Sequence, residues 1–221
     1  MKIGLLTDDF TRHCLEMEPG VQIVNLTPLN FTSEILKGLD VIFIESAWLG
    51  YQSLWKKKVA YYGKGISKRV WLLLKIAKSK GIKTIFWNKE DPVHFDRFSH
   101  LIEYFDVCLT TEKGQIKEYR KKLGCGSVVD CQPFFFQPRL HNPSKDQGVI
   151  ESLNEKVIFC GGLYSKEFPG RAQRLVSAVK AIGEDKVVVF DRFSSGDSSW
   201  KENKEVKVKI ESGFSYLDSK K

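Results

Sequence analysis

The chain has 221 residues, of which 42% are apolar, 28% charged and 12% aromatic, a composition that buries an ordinary core and argues against disorder. A bilayer span is excluded at this level: the densest apolar stretch, Val70 to Leu74, is broken at Lys75, far short of the ~20 residues required. The net charge of +8 is local, with ten basic and no acidic residues between Lys56 and Lys83; taking those ten from the 35 basic residues leaves 25 against 27 acidic ones.

Strand-like and helix-like segments alternate from the start. Lys2 to Leu6 reads as a first strand, ended by Thr7, Asp8 and Asp9 before a signal-peptide core could form, so the chain is expected to be soluble and cytoplasmic. Val21 to Leu26 reads as a second strand, stopped at Pro28, and Thr32 to Lys37 as a short helix closed by Gly38. Val41 to Glu45 has the continuous apolar character of a strand buried on both faces. Val70, Leu73, Leu74 and Ala77 recur at helical spacing within a helix from Ser67 to Ser79, which Gly81 ends. Then follow a strand from Lys83 to Trp87, a helix from Phe95 to Phe105, a strand from Val107 to Thr110, a polar helix from Gln115 to Leu123 and a strand from Val128 to Cys131.

This alternation predicts an α/β fold, a Rossmann-like parallel sheet with helices on both faces. The proline-bearing stretch from Phe134 to Lys145 reads as an interdomain linker, giving a first domain over 1–140, a connection over 141–154 and a second domain over 155–221. In the second domain Lys156 to Cys160, Lys186 to Phe190 and Val206 to Ile210 read as strands, the last as an exposed edge, and Arg171 to Ile182 as a helix. Three strands and one helix are few for a doubly wound domain, so this domain is expected to be incomplete.

Parallel sheets bind ligands beyond the carboxyl ends of their strands, which directs attention to Asp8-Asp9, Glu45-Ser46, Asn88 to Asp91 and Thr110-Thr111. No G-x-G-x-x-G follows the first strand, which disfavours a standard dinucleotide site. The most distinctive stretch runs from Phe86 to Asp96 and holds Glu90, Asp91, Pro92 and His94 directly after a buried strand. Burial raises a carboxylate toward the pKa of a general base; equally, Asp91 could simply cap the helix that follows. In the second domain Gly161-Gly162 permits close backbone approach, and Arg171 near a helix N-terminus suits a diphosphate, although a solvated arginine after a common turn has the same sequence. The five cysteines, at 14, 108, 125, 131 and 160, lack metal or disulfide spacing and read as buried, reduced thiols. The basic segment, with Trp55, Tyr61, Tyr62 and Trp71 interleaved, fits an anionic membrane surface, a solvated helix face with lysine stems over the core or, least well, nucleic acid.

Several segments together resemble the CgeB-like (spore maturation protein B) glycosyltransferases: Ile42 to Gly50, Phe86-Trp87-Asn88-Lys89-Glu90-Asp91-Pro92, and Phe105-Asp106 through Thr110-Thr111. Gln137-Pro138 before His141-Asn142-Pro143, Phe159 to Tyr164, Phe168-Pro169, Arg171 and Asp191-Arg192 continue the likeness in collinear order. The resemblance implies a GT-B architecture of two Rossmann-like domains, acting without a cofactor or essential metal on a nucleotide-diphosphate sugar and a glycan, polymer or protein acceptor. On that basis Asp91, Glu90 and His94 are the catalytic candidates. Gly161, Gly162, Arg171 and Asp191 are candidates for the donor, and Asp9, Glu45, Trp48 and Asn88 for the acceptor side. The alternative is a non-catalytic acceptor- or anion-binding module.

Overall fold

The computed structural model describes residues 1–63, 65–123, 128–141, 155–191, 193 and 196–212. Lys64 of the basic segment, Cys125, linker residues 142–154, Arg192 and residues 213–221 lie outside the described residues. Two compact units divide between His141 and Asn142.

The first unit is built on six strands: β1 (Lys2–Leu6), β2 (Gln22–Asn25), β3 (Val41–Glu45), β4 (Lys83–Asn88), β5 (Val107–Thr110) and β6 (Val128–Cys131). They pair in the order β2-β1-β3-β4-β5-β6, every neighbour parallel. The helices are α1 (Asp9–Glu16), α2 (Phe31–Leu36), α3 (Lys68–Ser79), α4 (Phe95–Phe98) and α5 (Ile116–Leu123). This is a Rossmann-like α/β layer. Its apolar strands are covered by helix faces such as Val70, Leu73, Leu74 and Ala77 of α3, all buried. Trp55 is fully buried among them and donates its indole N–H to the Leu26 carbonyl at 2.7 Å, the pairing a buried indole requires. No helix of the described residues is long and apolar enough to cross a membrane.

Three elements depart from the sequence reading. The stretch ending β1 does not simply loop: it opens directly into α1, an eight-residue helix burying only Thr11 and Cys14. The helix expected from Phe95 to Phe105 breaks into α4 and a 3-10 turn at Ile102–Tyr104. Residues 134–141, expected to be linker, belong to the first unit. The Gln137 side chain donates to the Cys14 carbonyl at 3.0 Å and to Glu18 Oε1 at 2.7 Å, Arg139 donates to the Met17 carbonyl at 3.0 Å, and His141 stacks on Phe10 at 5.7 Å.

The second unit pairs β7 (Val157–Cys160), β8 (Val187–Asp191) and β9 (Lys209–Ser212) in parallel, in that order. Helix α6 (Pro169–Ile182) packs Val176 and Val179 with Leu163, Val189 and Trp200 into a separate small core. The last strand starts later than its alternating pattern suggested because Val206 is spent in that core.

The cysteines divide by position. Cys14 and Cys108 are buried, Cys131 is half-buried and Cys160 is exposed, so the expectation of uniformly buried thiols fails at the end of β7. Burial pushes the Cys108 thiol up to about 12, leaving almost no thiolate at neutral pH. A thiol reagent should therefore label Cys160 rapidly in the native protein and reach Cys14 and Cys108 only on unfolding, as peptide mass mapping can check. Native labelling of Cys108 would place β5 outside the core.

Candidate functional site

In the strand order 2-1-3-4-5-6 the connections leaving β1 and β3 diverge, and the crevice between them is where open parallel sheets bind ligands. A depression of about 490 Å³ lies there, lined by Asp8, Asp9, Arg12, Trp48, Gly50 and Tyr51 among others. Its geometry is set by one carboxylate. Glu45, the last residue of β3, is fully buried. Its Oε1 accepts from the Asp8 amide at 2.6 Å and the Lys89 ammonium at 2.7 Å, and its Oε2 accepts from the Thr11 hydroxyl.

Asp8 carries that order outward. Its carboxylate accepts the backbone amides of Trp48 (2.9 Å), Leu49 (2.9 Å) and Gly50 (2.6 Å), fixing the loop that forms one wall. Gly50 turns this loop at φ 68°, where an added Cβ would lie 2.7 Å from Trp55. The turn therefore needs glycine.

Burial pushes the Glu45 carboxyl above the ordinary carboxylate range, while Lys89, Thr11 and the Asp8 amide pull it back. Burial also opposes the Lys89 ammonium, but Glu45, Asp8 and Glu90 outweigh it and raise its pKa. Every partner of Glu45 is a donor, an arrangement that suits a carboxylate and not a carboxylic acid; at neutral pH the two sit as an ion pair.

A second network hangs on Asp91, past the end of β4, whose peptide to Pro92 is cis. Oδ1 accepts from the Asn88 side chain at 2.7 Å; Oδ2 accepts from the Thr110 hydroxyl at 2.6 Å and the Tyr119 hydroxyl at 2.8 Å. Burial raises the Asp91 pKa against those three donors, and burial together with the Asp91 charge raises that of Tyr119. Asp91 does not cap α4: His94 occupies that place, with no side-chain bond, and its amide donates to the Glu90 carbonyl at 2.9 Å. The Glu90 side chain is half-buried and accepts no hydrogen bond from a described residue. The His94 ring meets Trp48 edge-on at 5.3 Å, and Trp48 in turn meets Phe98 at 5.2 Å.

Of the residues singled out from sequence, Asp9 and Trp48 line the depression, and Trp48 touches His94. Glu45 and Asn88 are fully buried and hold other side chains in position. In the second unit, Arg171 donates to the Gly162 and Leu163 carbonyls at 3.1 and 3.0 Å, and lies over the Phe159 and Tyr164 rings. Gly162 sits so close to Phe193 and Ser198 that a Cβ would lie 2.7 Å from the Ser198 carbonyl. Asp191 is buried, accepting from the Phe193 and Trp200 amides and the Ser199 hydroxyl.

The sequence reading missed Lys89, Arg12, Tyr51 and Tyr119. Lys89 was reachable: β3 and β4 in register pair Glu45 with Trp87, which puts a lysine two residues past a buried acid's neighbour. Tyr119 carries no such signal. Arg12 bridges Asp9 (2.8 Å) and Glu16 (3.2 Å) and lies 5.4 Å over the Tyr51 ring. No family model matches this chain, and no curated protein matches its sequence. No cluster of His, Cys, Asp and Glu among the described residues could hold a metal ion.

Two outcomes follow from these networks. Lys89→Met alone should cost about 3–5 kcal/mol in urea denaturation, because it strands Glu45 in the interior, whereas Lys89→Met with Glu45→Gln should recover most of that loss. Equal losses in the single and double variants would mean that packing and not charge joins these strand ends. For Asp91 the folded pKa is raised, so its contribution to stability is fully present below the unfolded value and is lost as pH rises through the folded one. Wild type should lose stability relative to Asp91→Asn as pH rises above the ordinary carboxylate range; a gain there would reverse the assigned direction.

Proposed function

We propose that the chain is a glycosyltransferase, or part of one, that acts in the cytoplasm and moves a sugar from a nucleotide-diphosphate donor to a cell-envelope, capsule or spore-coat acceptor. The observation that carries the reading is the Trp48–His94 contact at the carboxyl edge of the sheet, four residues past Glu90, whose side chain accepts no hydrogen bond from a described residue. An aromatic face packs on a sugar ring, and a carboxylate free of internal donors is able to take a proton from its hydroxyl.

In the transfer the acceptor oxygen bonds to the anomeric carbon, the bond from that carbon to the diphosphate oxygen breaks, and the electron pair leaves with the diphosphate. The acceptor's proton goes to Glu90, which we favour over Asp91 because both Asp91 oxygens are already occupied by donors. Asp91 then acts as a positioning residue, and His94 orients the hydroxyl. The second unit's own candidates for the donor are Arg171 and the N-terminal turn of α6, beside Gly161 and Gly162, with Asp191 holding Phe193, Ser199 and Trp200. A non-catalytic binding module is the second reading. It is favoured by the way Arg171 and Asp191 are engaged within their own unit.

Calorimetric titration of the full chain with UDP- and GDP-sugars separates the two: saturable binding supports the transferase, and no binding to any of them supports the module. With donor and acceptor in hand, Glu90→Gln should lower turnover by roughly 10²-fold or more with the fold unchanged, and Asp91→Asn should lower it less. Near-normal turnover in Glu90→Gln would remove Glu90 as the base.

A further inference from the structure

Of the ten basic residues between Lys56 and Lys83, Lys68, Arg69, Lys75 and Lys78 lie on α3. With Val70, Leu73, Leu74 and Ala77 turned into the core, Lys68, Trp71, Lys75 and Lys78 fall at i, i+3, i+7 and i+10 along the opposite face, all exposed. This row is roughly 15 Å long at the helical rise. Trp71 is 41% exposed, with the Lys75 ammonium 4.8 Å over its ring. At the N-terminal end the row continues into a second depression, where Lys57, Lys58 and Tyr62 meet Lys68.

We propose that this face of α3 rests on an anionic membrane surface, Trp71 entering the headgroup layer while the lysines reach the phosphates. Charge complementarity carries the assignment, since no acidic residue lies between Lys56 and Lys83. The aromatic-in-lysine arrangement is the one that suits an interface: the ring sits at headgroup level and flexible stems carry the charges to the phosphates. A single nucleic-acid strand is the poorer occupant. It needs a groove that tracks its backbone, and the groove beside the row, about 340 Å³ between α3 and the turn carrying Tyr104, has Glu103 and Asp106 on its far wall. Asp106 there is engaged by the Thr84 amide at 2.8 Å and by Lys83 at 3.3 Å. With Glu103 and Asp106 facing Lys75 and Lys78 across it, that groove repels a threaded phosphate chain, whereas the exposed row of Lys68, Trp71, Lys75 and Lys78 suits a plane. The inference is independent of sugar transfer.

The test uses the full chain with vesicles of phosphatidylcholine alone and of phosphatidylcholine with phosphatidylglycerol. Binding should appear with the anionic lipid and weaken with salt. At about fivefold per lysine, Lys75→Gln with Lys78→Gln should weaken it about 25-fold, while Lys117→Gln with Lys121→Gln on α5 should change it less than about twofold. Trp55, Trp87 and Trp200 are buried and Trp48 is half-buried, so the tryptophan emission should shift to the blue on binding and the shift should vanish in Trp71→Phe. Circular dichroism confirms that the variants fold. Equal binding to neutral vesicles, no binding to either, an equal loss in the α5 pair, or tighter binding to a single-stranded oligonucleotide than to the anionic vesicles would each overturn the proposal.

Discussion

The carboxyl edge of the larger sheet is held by one buried carboxylate. Glu45, at the end of β3, gathers an amide from the β1–α1 turn, a hydroxyl from α1 and an ammonium from beyond β4, so the connections leaving β1, β3 and β4 are fixed to a single point. An ion taken out of water costs several kcal/mol, and well-packed apolar side chains of similar volume often serve stability as well or better. What such side chains would lack is direction. Through the Asp8 amide and carboxylate, Glu45 determines where the Trp48–Gly50 loop stands, and that loop carries the ring that meets His94.

The same device recurs. Asp91 joins β4 to β5 and α5, and in the smaller unit Asp191 holds Phe193, Ser199 and Trp200. Strand ends leave polar backbone and side-chain groups facing a region partly closed to water, and each such donor needs an acceptor. A short acid at the end of a strand supplies two oxygens where they are needed. An acidic residue after a buried strand is thus as much a structural joint as a point of ligand contact. What separates Glu90 from its neighbours is the absence of such a duty among the described residues.

Much of the fold was legible from local pattern. β1, β3, β5 and β6 fall on the residues expected; for β1, β3 and β5, interior to the sheet, an apolar run covered on both faces leaves a signal needing no knowledge of its neighbours. α1 left almost none: eight residues with two buried positions give the helical period too little to act on. At the site, the acids could be read and their partners could not. Tyr119 lies 28 residues from Asp91, and only the packing of α5 brings it there. The proline-rich run after β6 was misread because composition reports stiffness and not attachment: Gln137 is buried against a helix from the opposite end of the unit.

That attachment has a consequence for the order in which the chain is made. The final carbonyls of a helix need donors from elsewhere; at the end of α1 Gln137 adds one to Cys14, 123 residues upstream of it, and Arg139 one to Met17 just past the helix. On a ribosome, which releases a chain from its N-terminus, α1 emerges well before the residues that bond to its C-terminal end. Until the residues near 141 are free, Phe10 and Trp87 wait without the phenylalanines that later pack against them. The contacts that tie α1 and β4 to the run after β6 therefore form only once nearly all of the larger unit has been synthesised.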